Sequence, residues 1–101
     1  MSVMVTGRMN VNPDNLAKLF TEQADVFTAV AADAKERGVI RHIFVRGEGD
    51  TAMFVDEWPS AAAFEEFFGS QTLIPELMAA AGVMGPPEIT ICDVMDSPDR
   101  V

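Results

Sequence analysis

The segment VIRHIFVRGEGDTAMFVDEW, from Val39 to Trp58, carries the clearest pattern of secondary structure in this chain. Two segments in which apolar and polar residues alternate, residues 39–46 and 51–58, flank the glycine-bearing segment GEGD. Alternation with a period of two is typical of a half-buried strand. A connection of a few turn residues joins two such strands as an antiparallel hairpin. The stretch therefore predicts two strands of an antiparallel sheet.

The residues before the hairpin predict a strand and a helix. The segment VMVTGRMNV, residues 3–11, alternates as a strand does. An amphipathic pattern then covers residues 12–37, with Asn12 suited to cap a helix and Pro13 suited to its first position. The predicted helix is long for a chain of this size, so we expect a bend or a break near Gln23.

The residues after the hairpin predict two further helices and a last strand. Ser60 and Thr72 are suited to cap the helices, and the segment EITICDVM, residues 88–95, alternates as a strand. The order of elements is strand, helix, strand, strand, helix, strand, which is typical of an α+β, ferredoxin-like βαββαβ fold with helices on one face of a four-stranded antiparallel sheet. We expect one domain over residues 1–95 and a flexible tail over residues 96–101.

Composition excludes several classes of function. The formal net charge of −9 disfavours nucleic acid and anionic membrane surfaces as partners. No apolar segment approaches the roughly 20 residues that span a bilayer, and no secretory signal is visible. The single cysteine, Cys92, forms no disulfide within the chain, which fits a reducing compartment. We therefore expect a cytoplasmic protein, and one histidine with one cysteine predicts no metal site.

The two faces of the predicted sheet differ in composition. On the first strand, the set with Gly7 is small and apolar, which suits the helix side. We assign the alternate residues of that strand and one set from the hairpin to the opposite face: Met4, Thr6, Arg8, Asn10, Ile40, His42, Phe44, Arg46, Phe54, Asp56 and Trp58. This face is too apolar for water and carries several ionisable groups, so we expect a second sheet to cover it in a homodimer.

The hairpin and the helix after it, residues 38–70, resemble the antibiotic biosynthesis monooxygenase family of dimeric α/β barrels. The resemblance lies in Trp58 followed by Ser60, Phe64, Phe67 and Ser70. It implies a fold that pairs as a dimeric α/β barrel, and an oxidoreductase of the cofactor-free type that oxygenates phenols. Related haem-degrading proteins have a helix tryptophan and a histidine that ligates iron. Phe67 replaces that tryptophan, and no histidine lies near Leu77 at the ligand position, so the resemblance implies no haem.

The resemblance makes His42, Arg8 and Asn10 the candidate catalytic residues. His42 would accept a proton from a phenol, whereas Arg8 and Asn10 would orient oxygen atoms. The candidate residues for binding a small hydrophobic aromatic substrate are Phe44, Phe54, Asp56 and Trp58. Four of these residues have a structural alternative. They are His42 in a bond to a neighbouring strand or to Asp56 across the dimer, Arg8 in an ion pair with Asp56 or Asp93, Asn10 in bonds to the backbone, and Trp58 packed beneath the following helix. A non-catalytic dimeric module that binds a hydrophobic ligand or serves as a scaffold is the rival function.

Overall fold

Eight helices and strands follow one another along the chain, in a computed structural model that describes residues 1–101. They are β1 (Val3–Asn10), α1 (Pro13–Glu22), α2 (Ala24–Glu36), β2 (Arg41–Arg46), β3 (Thr51–Trp58), α3 (Ala61–Ser70), α4 (Leu73–Ala81) and β4 (Glu88–Asp93). The strands form one antiparallel sheet in the order β2-β3-β1-β4. The predicted ferredoxin-like α+β fold is confirmed. None of the helices is long and apolar enough to cross a bilayer.

Local sequence accounts for most of the helix ends. The side chain of Asn12 accepts a hydrogen bond from the backbone N–H of Asp14 at 2.9 Å, and Ser60 Oγ accepts one from the N–H of Ala63 at 3.1 Å. Thr72, in contrast, makes no capping bond, and its prediction as a cap is wrong. Its own backbone is helical, with φ −102° and ψ −27°, whereas an effective cap residue has an extended backbone.

The long amphipathic segment is divided in two, as predicted, and the break lies at Gln23. This residue has φ −120° and ψ 34°, outside the helical range, and its N–H still bonds the carbonyl oxygen of Leu19 at 2.7 Å. The break brings Phe20 of α1 and Phe27 of α2 into edge-to-face contact, with ring centroids 5.0 Å apart. Both rings also contact Phe44 of β2, so the break closes an aromatic cluster over one end of the sheet.

The register between strands corrects the predicted assignment of the faces. Phe54 pairs with Gly7 on one side and with Phe44 on the other, and side chains of directly paired residues lie on the same face. The hairpin set therefore lies on the helix side, together with the apolar set of β1. The residues whose predicted face was wrong are Ile40, His42, Phe44, Arg46, Phe54, Asp56 and Trp58.

Gly7 explains why the aromatic set lies on the helix side. A Cβ atom at Gly7 would lie only 2.0 Å from the Phe54 ring, so this ring occupies the space that a side chain on β1 would otherwise fill. The core beneath the helices contains Val3, Val5 and Met9 of β1, and Trp58 is fully buried within it. The glycine therefore allows a large aromatic residue to pack across the centre of the sheet.

The outer face of the sheet, on the side away from the helices, carries aliphatic and polar residues. Met4, Val45, Met53 and Val55 are half-buried there, and Ile43 is 58% exposed. Arg8 and Asn10 lie on this face and are exposed. The face thus presents a mixed surface, without the aromatic residues that the sequence analysis assigned to it.

Candidate active site

A cavity of about 340 Å³ lies between the helix side of the sheet and the helices. Of the 20 residues that line it, 17 are hydrophobic, so an apolar ligand would be removed from water on most of its surface. The aromatic walls come from Phe27, Phe44, Phe54, Phe64, Phe67 and Phe68. The three remaining residues, Lys35, His42 and Asp56, are the only polar side chains in the lining.

His42, Asp56 and Trp58 form a hydrogen-bonded chain at the wall of the cavity. Asp56 and Trp58 lie two residues apart on β3 and so share a face, and His42 is the register partner of Asp56 on β2. His42 Nδ1 lies 2.5 Å from Asp56 Oδ1, and Trp58 Nε1 donates to Asp56 Oδ2 at 3.1 Å. Each carboxylate oxygen thus has its own partner, and the side chain of Asp56 is only 7% exposed.

This chain of bonds sets the tautomer of His42. A carboxylate accepts hydrogen bonds, so the bond to Asp56 places the proton of a neutral imidazole on Nδ1. Nε2 is then a free acceptor. A histidine whose first nitrogen is fixed by a carboxylate and whose second nitrogen faces a substrate is the arrangement that general-base catalysis uses.

His42 stands at the opening of the cavity. Its side chain is 37% exposed, and it also lines a shallower outer groove together with Phe20, Phe27 and Phe44. The His42 ring meets the Phe44 ring edge to face, with centroids 4.8 Å apart. A ligand entering between α2 and β2 would therefore pass the imidazole before it reached the aromatic interior.

The structure brings together some of the residues predicted for the site and separates others. His42, Phe44, Phe54 and Asp56 line one cavity. Trp58 is fully buried against α3, with its ring 5.2 Å from that of Phe67, and reaches the cavity only through its bond to Asp56.

Arg8 and Asn10 lie on the opposite face of the sheet from His42. Their register partners on β3 are Met53 and Thr51, both on the outer face. The prediction that these two residues share a face with His42 is wrong, because the alternation along β1 that directs Gly7 and Met9 toward the helices directs Arg8 and Asn10 away from them.

Lys35 is the cavity residue that the sequence analysis missed. It lies in the last turn of α2, eight residues after Phe27 and four after Ala31, and both of those residues also line the cavity. Residues spaced by four and eight positions lie on the same face of a helix. This spacing was the available signal, but a basic residue at the C-terminal end of a helix also stabilises the helix dipole, so the same residue has a second explanation.

The comparisons with known proteins concern the fold. No protein-family model matches the chain, and none of the curated proteins matches it. Among solved structures, SnoaB from Streptomyces nogalater, named a cofactor-independent oxygenase, has 18% identity and a TM-score of 0.64, with 98% of each chain covered. A Caulobacter crescentus protein named for the antibiotic biosynthesis monooxygenases has 21% identity and a TM-score of 0.64, with 94% of this chain and 91% of that one covered.

A third similar structure, a dimeric ferredoxin-like protein from an uncultured marine organism, has 17% identity and a TM-score of 0.66, with 99% of this chain and 93% of that one covered. All three cover nearly the whole chain, and their low identities make the likeness one of fold. The family resemblance predicted from the hairpin and α3 is thereby confirmed at the level of the fold: the chain has the ferredoxin-like fold shared by proteins named as antibiotic biosynthesis monooxygenases.

Proposed function

We propose that this protein is a cofactor-independent monooxygenase that acts on a small hydrophobic aromatic substrate of the phenol or quinol type. The observation that carries the proposal is the His42–Asp56 pair at the opening of an otherwise apolar cavity. The fold shared with an enzyme named a cofactor-independent oxygenase supports the same reaction class.

The first step is a proton transfer to His42. The substrate hydroxyl, or the acidic CH of an anthrone, gives its proton to Nε2, and Asp56 stabilises the imidazolium that forms. The substrate becomes an electron-rich anion. The apolar walls keep water away from this anion, so it is not simply reprotonated by solvent.

The second step is the reaction of the anion with dioxygen. Electrons from the substrate form a bond between its carbon and one oxygen atom, and the resulting peroxide takes up a proton. Cleavage of the O–O bond with loss of the remaining hydrogen on that carbon gives a new carbonyl group, and the second oxygen atom leaves as water. For an anthrone, a CH₂ group and O₂ become a C=O group and H₂O, so the substrate supplies all the electrons.

Phe44 and Phe54 serve as the apolar walls in this proposal, and Trp58 acts by holding Asp56. Arg8 and Asn10 stay outside the catalytic set because they lie on the outer face. This difference supplies a control, since Arg8 is a charged residue that lies on the opposite face of the sheet from His42.

The test is oxygen uptake by the wild type, His42→Ala and Arg8→Ala with a panel of anthrones and quinols. We expect His42→Ala to lower turnover by about 10²–10⁴-fold, the range for removing a general base. Arg8→Ala should retain the wild-type rate. If the wild type consumes no oxygen with any compound, the result contradicts the proposal and favours the rival function, a module that binds a hydrophobic ligand. If His42→Ala turns over as fast as the wild type while folded, His42 is structural.

We also propose that the outer face pairs with that of a second copy. The half-buried aliphatic residues and exposed Ile43 there need a cover, and one protein of similar fold is named as dimeric. Sedimentation equilibrium should show a dimer of the 11.0 kDa chain at micromolar concentration. Ile43→Asp should shift it toward monomer, whereas Met84→Asp, at a more exposed loop position, should not. A wild-type monomer would contradict the pairing.

A further inference from the structure

Lys35 differs from most other basic residues of the chain in having no carboxylate partner. Five of the seven lysine and arginine side chains form ion pairs, and only Lys35 and Arg8 form none. In a chain with a formal charge of −9, carboxylates are abundant, so an unpaired ammonium group is unusual. Arg8 lies on the outer face of the sheet, whereas Lys35 lies at the cavity.

Lys35 is an exposed residue that also belongs to the lining of the cavity. It is the only cation among the lining residues, and it follows Phe27, Ala31 and Ala34 on the face of α2 that forms one wall. Ile40, another lining residue, directly precedes β2, and His42 lies two residues later on the helix side of the sheet. A strand advances by about 3.3 Å per residue, so Ile40 and His42 lie about 7 Å apart along the strand, and both share the cavity with Lys35.

We propose that Lys35 is a specificity-determining residue that selects aromatic substrates carrying a carboxylate at the end opposite the reacting hydroxyl. The ammonium group would pair with the carboxylate at the opening, and the apolar walls would hold the rings. The proposal rests on the proposed function only in placing the hydroxyl group of the substrate beside His42. The net negative charge of the rest of the surface repels anions, so the recognition of an acid depends on this one local cation.

A lysine in the last turn of a helix also has a structural role, because a cation stabilises the negative end of the helix dipole. That role predicts an effect on the free energy of unfolding and none on the choice between two ligands. A ligand preference is therefore the readout that separates the two roles.

The experiment measures binding by calorimetry, which needs no turnover. The probes are 6-hydroxy-2-naphthoate and its neutral amide, 6-hydroxy-2-naphthamide, which have nearly the same size. We expect the wild type to bind the acid about fivefold more tightly than the amide at low salt, since a partly exposed ion pair contributes up to about that factor, and the preference should fall as salt rises.

Three variants complete the experiment. Lys35→Gln should lose the preference for the acid, and Lys35→Arg should keep it. Lys18→Gln, which makes the same change of charge at a surface position of α1 where the side chain is 74% exposed, should also keep it.

Equal binding of acid and amide by the wild type, or an unchanged preference in Lys35→Gln, would overturn the assignment. Failure of the wild type to bind either compound would overturn the assignment of Lys35, whereas the proposed function is decided separately by oxygen uptake. A preference that depends on Lys35 in a protein that consumes no oxygen would keep the assignment and remove only the oxygenase reaction.

Discussion

Asp56 and Glu57 are consecutive on β3, are buried to the same degree at 5% and 4% exposure, and face opposite sides of the sheet. Asp56 bonds the imidazole of His42 and the indole N–H of Trp58 on the cavity side. Glu57 has very different partners on the outer side. They are Arg41 at 3.0 Å, Arg100 at 3.5 Å and the hydroxyl of Ser2 at 2.7 Å.

The difference between these two carboxylates lies in what their partners can do. The guanidinium groups beside Glu57 are permanently charged, so this cluster holds a fixed charge and ties both ends of the chain to the sheet. Asp56 instead bonds a group that gains and loses protons, and its partner borders a cavity. Burial of a carboxylate is therefore no mark of an active site by itself, and the chemistry of its partners distinguishes the two cases.

The largest effect that we expect from this comparison is a difference in turnover between the variants Asp56→Asn and Glu57→Gln. Both changes replace a buried carboxylate with an amide of the same shape. The amide at residue 56 can donate a hydrogen bond to Nδ1, which stabilises the tautomer with the proton on Nε2. In that tautomer Nε2 cannot accept a proton from the substrate. We expect a fall of about 10²–10⁴-fold in oxygen uptake for Asp56→Asn and less than about threefold for Glu57→Gln.

Nitrogen-15 NMR checks the cause without any substrate. His42 is the only histidine, so its two ring nitrogens give one pair of signals. The neutral ring should carry its proton on Nδ1 in the wild type and in Glu57→Gln, and not in Asp56→Asn. Loss of activity in Glu57→Gln, or the same tautomer in all three proteins, would contradict the distinction between the two carboxylates.

The order and the types of the strands could be predicted because each strand carries its own alternation, as in VMVTGRMNV and TAMFVDEW. The register between strands could not be predicted, and for this reason the hairpin residues were assigned to the wrong face of the sheet. Alternation states which residues of one strand share a face, but it does not state which face of the neighbouring strand they join. The set with Gly7 was assigned to the helix side and the aromatic hairpin set to the other face, whereas Gly7 lies opposite the large Phe54 and makes room for it.

The candidate site was predictable in part for the same reason. His42, Phe44, Phe54 and Asp56 belong to one hairpin, so their common face followed from the hairpin itself. Arg8 and Asn10 lie on β1, and whether they share a face with the hairpin residues depends on the register between β1 and β3, which the sequence does not specify. The cavity residue Lys35 lies on a different element, and its place depends on how α2 packs over the sheet, which no local pattern specifies.

We expect an effect of intermediate size on the free energy of unfolding, when Gly7→Ala on the helix side of the sheet is compared with Gly69→Ala. The new methyl group at residue 7 would overlap the Phe54 ring, so we expect a loss of about 1–3 kcal/mol in the free energy of unfolding, as for other overpacked cores. At Gly69, within α3, a methyl group meets no atom within 4 Å, and the gain in helix propensity should stabilise the protein by about 0.5–1 kcal/mol.

Urea unfolding measures both changes. Because Phe54 lines the cavity, Gly7→Ala should also weaken the binding of the hydroxynaphthoate, and Gly69→Ala should not. A Gly7→Ala protein as stable as the wild type would mean that the ring moves freely, and the aromatic wall would then be adaptable rather than fixed.

The smallest effect that we expect is on stability, and it concerns a third carboxylate, Asp33. This residue is more exposed than Asp56 and Glu57 and serves as a reference for them. The Gln71 amide donates to Asp33 Oδ2 at 2.7 Å, and this bond lowers the pKa of Asp33 below its ordinary value of 3.8. Partial burial opposes the shift, and a hydrogen bond and the charge of Arg37 add to it. The bond joins α2 to the segment between α3 and α4.

The lowered pKa gives the stabilising effect of this bond a definite dependence on pH. A carboxylate that is more acidic in the folded state stabilises the fold above its unfolded pKa, and this contribution is lost as pH falls through the folded value. Gln71→Ala should therefore lower the urea midpoint slightly at pH 7, and the difference from the wild type should shrink as pH falls below about 3.9. Taking the difference cancels the protonation of the other acidic residues. A difference that stays constant or grows in acid would show that Gln71 acts by packing rather than through the charge of Asp33.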